Sequence, residues 1–197
     1  FEIMHAPMDG LAARFTLAFE ELAGMLDGSA PRGLEDDAAI RACAEHPVPV
    51  LSAAMGFTAV RRAARLGAGL LFDSLSTPER CRDLIDAYHE AGGTGSCVLI
   101  RRAWVGEPPR ERLDDQIDVY RSYSPAAAQA NWGGNEVVDA PTPDWVVSGL
   151  LEAVERAGAD ALNLRVHVPG VGPADVREQI ARLGDEVLGP VRAGLAD

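Results

Sequence analysis

Short apolar runs alternate with amphipathic stretches along almost the whole chain, and that alternation limits the folds available to it. The first run, Val48-Pro49-Val50-Leu51-Ser52-Ala53-Ala54, follows His46-Pro47 and has the composition of a strand buried on both faces. A helix over Thr58–Leu66 carries Arg61, Arg62 and Arg65 and stops at Gly67. Gly69–Asp73 reads as a second strand. Ser76 is an N-cap candidate with Pro78 in the first turn and Glu79 three residues on, which starts a helix running to about Ala91. Ser96–Val105 is the third strand, broken by Gly106 to Pro109, and residues 110–123 are a charged helix. Residues 124–144 read as irregular, and a helix covers 150–157. Ala161–Val168 is the fourth strand, Pro169-Gly170 breaks it, and the last helix runs from Pro173 to about Leu188. Ahead of all this, residues 11–26 place Leu11, Phe15, Leu22 and Met25 on one helical face, followed by a Gly/Pro/acidic loop over 28–38.

Strand–helix alternation is the pattern of an α/β fold with a parallel sheet and right-handed crossovers. The options are an open doubly wound sheet or a (β/α) barrel. A full TIM barrel takes about 250 residues. Four strands in 197 residues amount to about half a barrel plus an insertion. The expectation is one (β/α)-barrel domain over residues 1–197, covering about the C-terminal half and lacking its N-terminal strands. The abrupt start at Phe1 fits that expectation.

Charge and composition exclude several classes of function. The formal net charge is −12, so a phosphodiester backbone is repelled and no nucleic-acid partner is expected. All 18 basic residues are arginines; without lysine there is no Schiff base, pyridoxal-phosphate site or Walker A loop. No apolar run approaches the roughly 18 residues of a membrane span, and no membrane partner is expected. Cys43, Cys81 and Cys97 are odd in number and form no CxxC pair, which points to a reducing, cytoplasmic compartment. His5, His46, His89 and His167 are isolated in sequence, so no metal site is expected.

Ligands of parallel α/β folds sit at the carboxyl ends of the strands. After the first strand stand Ser52, Ala53, Ala54, Met55, Gly56, Phe57 and Thr58. Small residues there admit a ligand to the backbone, and the next helix offers N–H groups to a phosphate; a plain packing turn has the same composition. After the second strand, Asp73-Ser74-Leu75 supplies a carboxylate that is either catalytic or a turn former. Arg165 and His167, two residues apart, share a face and could hold an anionic substrate. Arg101 and Arg102 lie inside the third strand, where a buried guanidinium must find a partner. Gly92–Ser96 precedes a strand rather than opening a helix, and Gly67-Ala68-Gly69 lacks a third glycine, so neither is a dinucleotide fingerprint. Asp36-Asp37 and Asp114-Asp115 read as solvated faces.

Val48–Met55 followed by Ala59-Val60-Arg61-Arg62-Ala63-Ala64-Arg65-Leu66-Gly67-Ala68-Gly69 resembles the fifth strand and helix of the luciferase-like monooxygenases, the flavin- or F420-dependent oxidoreductases. Gly158–His167 with Arg177–Gly184 is similar to the family's last strand and helix, and Phe1-Glu2 with the following helix to what comes after its fourth strand. The resemblance implies a TIM barrel with FMN or coenzyme F420 at its C-terminal mouth. It places the cofactor phosphate on the Ser52–Thr58 turn, with Met55 where a glycine is usual, and further cofactor lining on Asp73, Ser74 and Leu75. In sugar-phosphate-oxidising members a basic residue stands about where Ser76 is, and its absence at that position argues against such a substrate. The family's catalytic groups sit on its first four strands, so no catalytic residue is assigned in this chain. The function expected is hydride transfer or flavin-dependent monooxygenation of a small organic substrate, in a homodimer. The alternatives are a non-catalytic flavin-binding or dimerisation half-barrel and an unrelated acidic barrel enzyme.

Overall fold

One long strand organises the sheet. In the computed structural model, which describes residues 9–133 and 137–196, β3 (Cys97–Val105) is nine residues long. β2 (Gly69–Phe72) pairs with its beginning, Leu70 opposite Cys97 and Phe72 opposite Leu99. β4 (Val137–Ala140) pairs with its end, Val137 opposite Arg102 and Ala140 opposite Val105. β5 (Ala161–Arg165) runs along Val98 to Arg102. β1 (Leu51–Ser52) pairs with β2, and every ladder is parallel. Val98 lies opposite both Leu71 and Ala161, and Arg102 opposite both Val137 and Arg165. A residue has one partner per edge, so β2 and β4 share one edge of β3 and β5 holds the other. The shared edge forks at Ile100 and Arg101, which pair with neither β2 nor β4.

The α/β architecture with a parallel sheet is as the sequence implies. The closed barrel is not formed: among the described residues nothing pairs with the outer edge of β1 or of β5, and the sheet stays open.

Alternate residues of β3 anchor two halves of a helical layer. Cys97 and Leu99 pack with Val60 and Ala63 of α3 (Phe57–Arg65) and with Leu84, Ile85 and Tyr88 of α4 (Pro78–Glu90). Ala103 and Val105 pack with Val146 and Leu150 of α7 (Pro143–Ala157). Leu183, Val187 and Val191 join this second cluster. Burying each large aliphatic side chain contributes about 1.5–3 kcal/mol. On the other face of β3, Trp104 packs with Leu113, Val137 and Val168. Leu113 is the buried residue of α5 (Arg110–Tyr123), whose other side chains are half-buried or exposed.

Several boundaries differ from the sequence expectation. α1 (Leu11–Leu26) matches it. The strand expected over 48–54 pairs only at Leu51 and Ser52, because Pro47 and Pro49 have no N–H to give a ladder. α2 (Ala38–Glu45) was not foreseen; Asp37 caps it, its carboxylate accepting from the N–H of Ala39 and Ile40. The cap of α4 is Thr77, whose Oγ1 accepts from Arg80 N at 3.1 Å, and not Ser76, which is buried. The region 124–144 contains α6 (Ala126–Gln129) and the short strand β4. α7 begins at Pro143, seven residues before the expected start, and β5 ends at Arg165 rather than Val168. The last helix is α8 (Pro173–Arg182), a π-helical turn (Leu183–Val187) and α9 (Leu188–Ala196). Phe1, Glu2, His5, Gly134 and Asn135, which entered the sequence argument, lie outside the described residues.

Tyr88 ties the helical layer to the strand entrances. Its hydroxyl donates to Ala68 O at 2.9 Å and accepts from Gly95 N at 2.8 Å, which joins the turns leading into β2 and β3. Tyr88→Phe leaves both backbone groups without this partner, and an unfolding free energy lower by about 1–3 kcal/mol is expected in urea titration. An unchanged midpoint would show that the clasp is idle.

Candidate cofactor and substrate site

Two loops at the carboxyl ends of β1 and β2 form the candidate site. After Ser52, Ala53 is exposed and Ala54 turns into the core. Met55 is 40% exposed, an apolar side chain presented at the mouth. Gly56 is the N-cap of α3 in extended conformation, with no side-chain capping bond; its carbonyl already accepts from Ala59 N at 2.9 Å, which leaves the N–H groups of Phe57 and Thr58 at the head of the helix. A Cβ built on Gly56 would meet nothing within 4 Å. Thr58 lies in that first turn and is exposed.

After Phe72, Asp73 forms the turn. Its Oδ1 accepts from Leu75 N at 3.0 Å and Ser76 N at 2.8 Å. Of the two roles open in the sequence, turn forming is the one seen. Arg101 completes the loop from the other side. It is 4% exposed and donates from Nη1 to Asp73 O (3.3 Å) and Ile100 O (2.8 Å), and from Nη2 to Ser76 O (3.0 Å). The buried guanidinium thus finds backbone carbonyls at the fork of the sheet. Ser74 is buried beneath this turn.

These loops enclose a cavity of about 350 Å³, lined from the strand side by Met55, Asp73, Ser76 and Arg80. The segment through α6 to Trp132 closes it. That segment is fixed by the bridge between Ser76 and Trp132, by Gly133 N donating to Leu75 O (2.9 Å) and by Thr77 N donating to Asn131 O (3.3 Å). Larger cavities lie elsewhere, among them one of about 380 Å³ between α5 and Pro169-Gly170 and two of about 430 Å³. One of the latter two, lined by Leu75, Arg101, Trp145 and Arg156, opens between the loop after β2 and α7. The other, lined by Pro47, Pro49 and Glu20, lies near the start of β1, at the opposite end from the strand termini.

Of the sequence candidates, Met55 and Asp73 meet in the 350 Å³ cavity, and Leu75 lines the one beside it. Ser52, Ala53, Ala54, Gly56, Thr58 and Ser74 do not line the 350 Å³ cavity. Arg165 lies opposite Arg102 in the sheet, and His167 lies beyond the end of β5; neither lines any of these cavities. Sequence reasoning missed Arg80 and Trp132. Arg80 becomes visible once Thr77 is taken as the cap, since that puts it in the first turn of α4, at the strand ends. Among the described residues no group of three His, Cys, Asp or Glu could hold a metal ion. Among them, too, no helix is long and apolar enough to cross a membrane.

No family model matches the chain, and no curated protein matches it. Solved structures do. The monooxygenase RslO1 from Streptomyces bottropensis superposes with a TM-score of 0.63 at 16% identity, over 96% of this chain and 64% of that one. Apo-MsnO8 superposes with a TM-score of 0.58 at 16% identity, over 97% of this chain and 61% of that one. The chain therefore has the fold of part of these proteins and spans less than two thirds of the length of either.

The two buried thiols are chemically quiet. Burial pushes Cys81 up to about 11 and Cys97 up to about 12, the nearby Asp160 carboxylate adding to the shift at Cys97. The fold holds both protonated where an unfolded chain ionises near 9.0. The stability they contribute is full below pH 9 and is lost as the pH rises through 9 toward about 11 for Cys81 and about 12 for Cys97. A thiol reagent at about pH 8 should titrate only the half-buried Cys43 in the folded chain and all three cysteines after unfolding. Rapid native labelling of Cys81 or Cys97 would contradict this account.

Proposed function

We propose that this chain belongs to an oxidoreductase of the luciferase-like kind that uses FMN or coenzyme F420 on a small organic substrate. The observation that carries the proposal is the cavity at the carboxyl ends of β1 and β2, next to the uncapped start of α3. The residues present fit a cofactor phosphate. Gly56 leaves open space at the head of α3, and the N–H groups of Phe57 and Thr58 supply donors without adding side-chain bulk. Ser52, Ala53 and Ala54 lead into that turn, and Thr58 can add its hydroxyl. Met55 and Asp73, with Ser74 and Leu75 behind them, would line the cofactor.

When bound, the cofactor supplies hydride transfer, and in the FMN case activation of oxygen as well. The chain's own part is to hold the phosphate, orient the ring and exclude water. Trp132 and the segment around it serve the last purpose by roofing the cavity. Arg165 and His167 are proposed to face a substrate only in the whole protein, because here they line none of the cavities described above. A homodimer and a cytoplasmic setting belong to the same proposal. The open sheet favours one competing reading, a non-catalytic flavin-binding half-barrel.

Separate titrations with FMN and F420, followed by cofactor fluorescence, test the proposal. Saturable binding of one of them at micromolar concentration is expected. Gly56→Val, whose extended backbone tolerates the change, should weaken it by about tenfold or more with an unchanged circular dichroism spectrum. Failure of both cofactors to bind would overturn the proposal. Binding without turnover, assayed with NADH and FMN or with reduced F420, would favour the half-barrel reading.

A further inference from the structure

Arginines in this acidic chain mostly find acids or carbonyls. Arg41, Arg65, Arg110, Arg112, Arg121, Arg156 and Arg182 pair with carboxylates, and Arg82 donates to the carbonyls of Glu155 and Arg156. Arg80 departs from this pattern. It is half-buried, lines the 350 Å³ cavity, and its Nε is buried with no hydrogen-bond partner. No carboxylate among the described residues lies within ion-pair distance of it. Its guanidinium instead stacks over the Phe57 ring, 4.8 Å from the centroid, and Arg61 approaches the same ring at 5.9 Å. Two cations gathered on one ring repel each other unless an anion joins them.

A second observation comes from Ser76. It is 2% exposed and lines the same cavity, and its Oγ is buried with no hydrogen-bond partner. A buried hydroxyl left unsatisfied costs about 1–3 kcal/mol, so a native fold keeps one where a water or a ligand completes it. Asp73 contributes the one carboxylate to the lining, but two backbone N–H groups already engage its Oδ1. The rest of the lining is largely apolar, with Met55, Pro125, Ala128 and Trp132.

We propose that this cavity is an oxyanion site in which Arg80 supplies the charge and Ser76 a hydroxyl donor to the phosphate of a monoester whose organic part lies against Met55 and Trp132. A phosphate monoester carries a charge of about −1.5 to −2 at pH 7 and offers three acceptor oxygens, enough for both donors. Guanidinium suits this task, because its fork matches phosphate geometry while its flat face stays on Phe57. The monoester is either the phosphate of FMN or that of a substrate. The site rests on the reading of this end of the sheet as the ligand end, but it does not depend on a flavin-type cofactor.

Calorimetric titration of the chain with phenyl phosphate and with inorganic phosphate tests the proposal without any cofactor. Saturable binding at one site is expected, tighter for phenyl phosphate. Arg80→Met keeps an unbranched side chain on Phe57 but removes the charge, and should weaken binding by about tenfold or more. Arg80→Lys should restore part of it, and Ser76→Ala should cost a few-fold. Arg177→Met, which changes the net charge equally from an exposed position on α8, should leave binding unchanged. Circular dichroism of each variant separates loss of binding from loss of fold. No saturable binding, or equal binding by Arg80→Met, overturns the proposal. If Arg80→Met also loses FMN binding and phenyl phosphate competes with FMN, the cofactor is the source of the phosphate. If cofactor binding survives in Arg80→Met, the substrate is the source. Phosphate binding where neither cofactor binds would leave this site standing and overturn only the cofactor proposal.

Discussion

The buried guanidinium of Arg101 is the contact on which the carboxyl end of the sheet depends. β3 is longer than either neighbour on its forked edge, and the fork leaves backbone groups that no strand can satisfy. Arg101 reaches from the fork to the carbonyls of Asp73, Ser76 and Ile100. A charged side chain taken out of water is tolerated only with such partners, and here it bonds three carbonyls at once. The loop after β2 is therefore held from both sides, by Asp73 on its N–H groups and by Arg101 on its carbonyls. Everything placed by that loop, from Ser76 to the first turn of α4, inherits its position from this arrangement.

A comparable economy operates at the far end of β3. Gln179, buried, accepts from Val105 N at 2.9 Å and donates to Val105 O at 3.0 Å, and Arg182 donates to the same carbonyl. The amide plays the part of one more strand residue where pairing would otherwise cease. Together with Ala103 and Val105 packing on α7, this fixes the C-terminal helices to the sheet although they follow β5, none of whose residues is fully buried.

The sequence carried the fold at the level of its alternation and lost it at its edges. α1, α3, α5 and the cores of β2, β3 and β5 were legible because apolar spacing and glycine stops agree there. β1 was over-extended because the apolar run hides two prolines that cannot pair. β4 was missed because four residues between a glycine-rich stretch and Pro141 give no periodicity to read. α2 was missed although Asp37 stands before it as a cap. At the candidate site, Met55 and Asp73 were reachable from strand ends alone. Arg80 and Trp132 were not, because one hid behind a mistaken cap and the other arrives from 50 residues away in sequence through a segment that reads as irregular.

The two free edges of the sheet differ in kind. On β1 only Leu51 and Ser52 lie in a ladder, and Pro47 and Pro49 precede them without N–H groups. That rim is blunted: it offers too little regular backbone to recruit a foreign strand, the same device by which soluble β-proteins resist edge-to-edge aggregation. β5 has no such guard over its five residues beyond the polar side chains of Asn163 and Arg165. Any tendency of this molecule to self-associate through its backbone is therefore one-sided. It would produce pairs rather than growing fibres, because a chain with one receptive rim can be joined once and then terminates the assembly.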